Sequence, residues 1–265
     1  MKVVKGFVFT GLLLVAVMGF GQATRIMIGA GTPEDKALQA IAAENDAQKK
    51  LSMLEQFNQD YASNKAAVAY GYWQMLQVYQ NSGDNEKALA AGEKAIELAP
   101  GNMEILQSLC GIAEATKDYD KMVDYAVRGG KAFNGIATQP KPADSSAQDW
   151  ATKVEQDQNA FRPVYEYLEA AAVNAIGNEP EVKKRLSLVE KFMGAFPNSR
   201  YELQVSQQTM AALQALNDPA KSIEFGEKAL KANPNNASIL LLLANAYVDE
   251  NKTLGKAVDY AQKGR

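Results

Sequence analysis

Apolar and small residues recur at helical spacing along most of the chain. The clearest stretch runs from Ala69 to Asn102. Tyr72, Leu76 and Tyr79 mark one helix and Ala88, Ala95, Ile96 and Leu98 a second. Gly83-Asp84 supplies a turn between them, and Pro100 closes the pair because it cannot continue a helix. The unit is a helix–turn–helix of about 34 residues, the period of a helical solenoid. Upstream, Thr32-Pro33-Glu34-Asp35 reads as a helix start, with Thr32 as cap and Leu38, Ile41 and Ala42 as the buried stripe. From about Ala47 a second helix carries Leu51, Leu54, Phe57 and Tyr61 on one face. Downstream, Leu106, Leu109 and Ala113 precede a Lys117-Asp118-Tyr119 turn, and Met122, Tyr125 and Ala126 follow it. Gly129-Gly130 then follows, just before the period breaks.

The period breaks from Lys131 to Gln158, and Ala137 to Ser146, with two prolines, reads as a linker. Ser145 with Gln148 predicts a cap for a helix near Trp150. Phe161, Val164, Tyr165, Leu168, Ala172 and Ile176 continue the apolar stripe, but Pro163 is expected to divide it into two helices. The chain then repeats itself. The segment KKLSMLEQF ending at Phe57 returns as KRLSLVEKF ending at Phe192. Gly92-Glu93-Lys94-Ala95 returns as Gly226-Glu227-Lys228-Ala229, and Val123-Asp124-Tyr125-Ala126 as Val258-Asp259-Tyr260-Ala261. The offsets are 135, 134 and 135 residues, so the length changes fall in turns. Residues of about 37–130 and 172–265 are therefore two copies of one block of helix pairs. The organisation expected is a leader at 24–34, a first block at 35–131, a linker at 132–158 and a second block at 159–265.

On Tyr79, Gly83, Ala88, Ala95 and Pro100, the stretch 69–102 resembles a tetratricopeptide repeat. Tyr72 replaces the usual Trp, and Gly92 stands where an aromatic is common, so the unit should be less well filled. The resemblance implies an all-α, right-handed solenoid of antiparallel helix pairs, internally duplicated. It also implies that the first helix of each pair lines a concave groove that holds protein or peptide partners. The inward positions would be Tyr70, Trp73, Gln77 and Asn81, then Glu104, Gln107, Gly111 and Glu114. In the second copy they would be Gln204, Gln207, Ala211 and Gln214, then Leu241, Asn245 and Asp249. Gln and Asn can bond an extended backbone through both donors and acceptors, and Tyr70 and Trp73 are rigid aromatic anchors. Relatives that clamp a C-terminal carboxylate use cations here. This chain has Trp73, Gln77, Gln107, Gly111, Gln207 and Ala211 instead, which speaks against a carboxylate clamp. Leu203–Asn236, the counterpart of the best repeat, lacks both aromatics and carries Gln204 and Gln207.

Residues 1–23 add an address. Lys2 and Lys5, an apolar run from Gly6 to Phe20 and small residues at Gly21-Gln22-Ala23 read as a secretory signal peptide. The run is shorter than the roughly 20 residues of a spanning helix, so no membrane span is expected once it is removed. An exported, periplasmic protein is expected, with residues 24–32 poorly ordered. Removing 1–23 takes away two lysines and no acid. The net charge of −3, from 28 basic and 31 acidic residues, becomes more negative, and no nucleic-acid footprint is present.

The chain has no histidine and one cysteine, Cys110, which excludes Ser-His-Asp and Cys-His catalysis and a multi-thiolate metal site. No cofactor, metal or enzyme activity is implied. Cys110 stands where close helix contact needs a small residue, so a buried structural role is expected. No polar capping helix precedes Arg265. Truncation is the preferred reading of that end. The other is a last face that meets another molecule, which would make the chain an assembly subunit able to self-associate through its C-terminal repeat.

Overall fold

The computed structural model describes residues 25–264 other than 233, 251 and 252. The segment expected to be a signal peptide, residues 1–23, lies outside them. Among the described residues there are twelve α-helices and no strand. They are α1 (Pro33–Ala43), α2 (Ala47–Asp60), α3 (Lys65–Asn81), α4 (Asn85–Leu98), α5 (Met103–Thr116) and α6 (Tyr119–Ile136), then α7 (Ala147–Asn178), α8 (Val182–Ala195), α9 (Glu202–Leu216), α10 (Pro219–Ala232), α11 (Ala237–Glu250) and α12 (Leu254–Lys263).

Local chemistry fixes where these helices begin. The side chains of Asp46, Asn64, Asp84, Asn102 and Asp118 each accept a hydrogen bond from the backbone N–H three residues on. A cap of this kind is worth about 1 kcal/mol. The α3–α4 turn uses a left-handed residue, Gly83 at φ 77°, and the shorter α9–α10 turn uses Asn217 at φ 47°. Consecutive helices pack against one another all along the chain, and one apolar core runs from Ile41 to Ala257. This is an all-α solenoid of helix pairs, as the sequence predicts.

The duplication is visible element by element. Both ends of α8 lie 135 residues beyond those of α2, and both ends of α10 and α11 lie 134 beyond those of α4 and α5. Side-chain chemistry repeats too. Asn102 caps α5 through Ile105 N–H at 3.0 Å, and Asn236 accepts from Ile239 N–H at 3.1 Å. Lys121 pairs with Glu93 at 3.0 Å, and Lys256 with Glu227 at 3.1 Å. A tyrosine hydroxyl donates to each of these acids from a different place, Tyr125 on α6 and Tyr247 on α11. Burial raises the carboxyl pKa of Glu93, but the Lys121 and Tyr125 hydrogen bonds outweigh it and leave the group below the ordinary range.

Four local expectations need correction. Pro163 does not divide the helix there; α7 runs unbroken through it from Ala147 to Asn178. Its cap is Ser146 rather than Ser145: Ser146 Oγ accepts from Asp149 N–H at 3.0 Å and donates to Asp149 Oδ2 at 2.7 Å. Ala42 is exposed, and the α1 stripe rests on Ile41 and half-buried Leu38. Gly92 does not leave its repeat underfilled. A Cβ there would lie 2.4 Å from Leu76 Cδ1 and 2.5 Å from Leu109 Cδ2, so two leucines occupy the space an aromatic would take.

The stretch that breaks the period is largely helical. α6 continues to Ile136 and α7 begins at Ala147, leaving residues 137–146 as the non-helical connection. Gly129 and Gly130 let α6 come close to its neighbours. A Cβ on Gly129 would meet Leu168 Cδ1 at 2.2 Å, and one on Gly130 would meet Phe196 Cζ at 2.9 Å. Aromatic rings then tie α6, α7 and α8 together. Ring centroids lie 4.3 Å apart for Phe133 and Tyr165, 5.2 Å for Tyr165 and Phe196 and 4.9 Å for Phe192 and Phe196. The two copies are joined through packed rings at this point.

Candidate functional site

The positions that the sequence assigns to a groove lie on α3, α5, α9 and α11, each the first helix of its pair, and α7 is the first helix of the pair between α5 and α9. Three adjacencies along this face are direct: α5 packs on α7, α7 on α9 and α9 on α11. Tyr70 and Trp73, one helical turn apart on α3, are both half-buried, and their rings meet edge to face at 5.5 Å. Trp73 also packs against the core, and its indole Nε1–H is buried without an acceptor. Gln77 on α3 and Gln107 on α5 are half-buried. Gln204 and Gln207 on α9 and Asn245 on α11 are exposed. The structure thus brings Tyr70 and Trp73 together, while the two copies differ in how far their groove positions are covered.

Further residues belong to this face that sequence reasoning missed. Tyr167 and Asn174 of α7 donate to the Glu114 carboxylate of α5 at 3.3 and 3.5 Å. The Tyr167 hydroxyl lies 3.5 Å from where a Cβ on Gly111 would sit, and burial pushes its pKa well above the ordinary phenol value. Gln208, next to the predicted Gln207, is half-buried over α7. Its Nε2 lies 2.6 Å from a Cβ position on Gly177, and its Oε1 is buried without a donor. The apolar stripe through Leu168 and Ile176 held the signal for α7, but the expected break at Pro163 obscured it. On the second copy, Leu203 (63% exposed), Leu241 (44%) and Val248 (54%) make the face more apolar than its amides suggest.

Among the described residues no three His, Cys, Asp or Glu side chains converge as a metal site would require, and no helix is long and apolar enough to cross a membrane. Cys110 is fully buried; its Sγ–H faces the Met122 carbonyl at 3.6 Å, and burial first, then Glu114, pushes the thiol up to about 12. The thiolate is the reactive form. Native protein is therefore expected to leave Cys110 unmodified by a thiol reagent at pH 8, with one equivalent reacting on unfolding. Mass spectrometry checks this, and rapid native labelling would contradict the packing.

Comparison with known proteins agrees with the repeat. Residues 69–102 match the family model described as "Tetratricopeptide repeat". Comparison with curated proteins gives no match. Among solved structures, a crystal structure of MamA aligns over 88% of this chain and 92% of its own, at 13% identity and a TM-score of 0.31. YrrB, titled "a TPR protein with an unusual peptide-binding site", aligns over 80% of this chain and 90% of its own, at 13% identity and a TM-score of 0.30. At such scores these likenesses carry no argument about this chain.

Proposed function

We infer that this chain, a tetratricopeptide repeat protein, is a non-catalytic interaction scaffold that receives an extended segment of a partner protein along the face of α3, α5 and α7. The observation that carries this reading is the Tyr70–Trp73 pair, two large rings held edge to face on the first helix of the matched repeat. Aromatic anchors in half-buried settings dominate the energy of many interfaces, and flanking Gln77 and Gln107 offer both donors and acceptors to a peptide backbone. The first 23 residues support an exported, cell-envelope setting for this activity.

Trp73 contributes to the core, so Trp73→Ala will cost stability as well as contacts, and Tyr70→Ala is the cleaner probe. Proteins captured from the envelope fraction by the immobilised wild-type chain are expected to bind Tyr70→Ala more weakly by over about 1 kcal/mol, roughly fivefold or more. Helix content should stay the same by circular dichroism. Unchanged capture would remove Tyr70 from the anchor role. A second reading, an assembly subunit, rests on Leu254 and Val258 of α12, each 54% exposed and one turn apart. A mass that rises with concentration in light scattering would favour it.

A further inference from the structure

Residues 25–32, expected to be poorly ordered, are fastened at both ends. At one end Thr32 caps α1 through Asp35 N–H at 3.2 Å, and Gly31 N–H donates to Asp35 Oδ2 at 2.7 Å. Asn64 Nδ2, at the start of α3, donates to Glu34 Oε1 at 3.0 Å and places this end beside α3. At the other end the Arg25 guanidinium lies 4.9 Å from the ring centroid of Phe161 on α7. Between them Ile26 and Ile28 turn inward onto the core, while Arg25 and Met27 are exposed. That alternation is the period of an extended strand.

The two ends set the direction of the leader. α1 belongs to the first helix pair and α7 to the fourth. Residues 29–32 form a turn closed by Thr32 N–H on the Gly29 carbonyl at 3.3 Å, so the extended part of the leader is residues 25–29. From the turn at α1 the extended part leads toward Phe161 of α7 and can lie over the face between them. Two independent observations fit such a cover. Trp73 Nε1 is buried on a face where it has no acceptor. Tyr70, Trp73, Gln77 and Gln107 are half-buried, whereas Gln204, Gln207 and Asn245 in the second copy are exposed. The second copy begins within α7, so the chain enters it as helix and not as an extended leader.

We propose that residues 25–29 are the resident occupant of the first-copy face. That face accepts in trans an extended segment of the same chemistry, a cation followed by aliphatic side chains at alternate positions, only when the leader has left. The leader as occupant stands on its own contacts; its role as a competitor rests on the scaffold reading above. A leader bound nine-tenths of the time lowers the apparent affinity of any competitor about tenfold.

The test uses the full chain and a fluorescent peptide of residues 24–32, read by polarisation. The chain carrying Ile26→Asp and Ile28→Asp is expected to bind the peptide at least about tenfold more tightly than wild type. A peptide with the same two aspartates should not bind, and one with Arg25→Ala should bind several-fold more weakly. Absence of peptide binding by the double variant, with wild-type helix content, would overturn the proposal. Binding of the peptide without capture of any envelope protein would leave the leader's place standing and defeat the scaffold reading. Equal partner capture by wild type and double variant, without peptide binding, would do the reverse.

Discussion

Gly92→Phe, which restores the aromatic common at this position of the repeat, is expected to destabilise the protein by about 3 kcal/mol or more. An exposed helix would gain about 1 kcal/mol from losing a glycine. Here the first atom of any side chain would already sit 2.4 Å from Leu76 and 2.5 Å from Leu109. Both leucines are fully buried, so their side chains must repack against their neighbours to admit a ring. Leu109→Ala alone should cost about 2–5 kcal/mol by leaving a cavity beside Gly92. Because the ring would fill that cavity, the pair together should cost less than the sum by about 1 kcal/mol or more. Urea melts of the four chains, read at their midpoints, check this. Strictly additive costs would show that Gly92 and Leu109 do not share one space. The second copy offers a control, since a Cβ on Gly226 would meet Leu243 Cγ at 2.6 Å.

Much of the fold could be read from local chemistry. Asp84, Asn102 and Asp118 are good caps in any setting, and Gly83 suits a left-handed turn residue wherever it occurs. The duplication was legible because the copies keep their core residues and change length in turns. Gly92 was misread because its partners, Leu76 and Leu109, come from two other helices, and spacing along one helix does not report them. Tyr70 and Trp73 could be placed on one face because they are one turn apart. The leader could not be placed, since Ile26 and Ile28 are too few for a periodic signal and Phe161 lies far along the chain. The exposure of Gln204, Gln207 and Asn245 against the cover over Gln77 and Gln107 was equally hidden. It depends on which other parts of the chain come to lie against each copy.

Pro163→Ala is expected to stabilise the protein by about 1–3 kcal/mol, against the usual direction of substitution. Proline inside a helix removes one N–H, so the Asn159 carbonyl loses its partner, and the ring crowds that carbonyl, at a cost of roughly 3 kcal/mol. Pro163 is exposed, so its ring contributes no packing to offset this. The helix survives because of what lies on either side. Phe161 is 2% exposed and Leu168 fully buried, and each such side chain is worth about 1.5–3 kcal/mol on burial. Tyr165 adds contacts with Phe133 and Phe196. Unwinding at Pro163 would sacrifice these contacts and release the arm that presents Phe161 to Arg25. Alanine keeps the packing and returns the hydrogen bond, so the thermal midpoint should rise with no change in helix content. A lower midpoint would mean that the fixed φ of proline, by restricting the unfolded chain, outweighs the bond it removes. The continuity of α7 would then depend on Pro163 instead of persisting despite it.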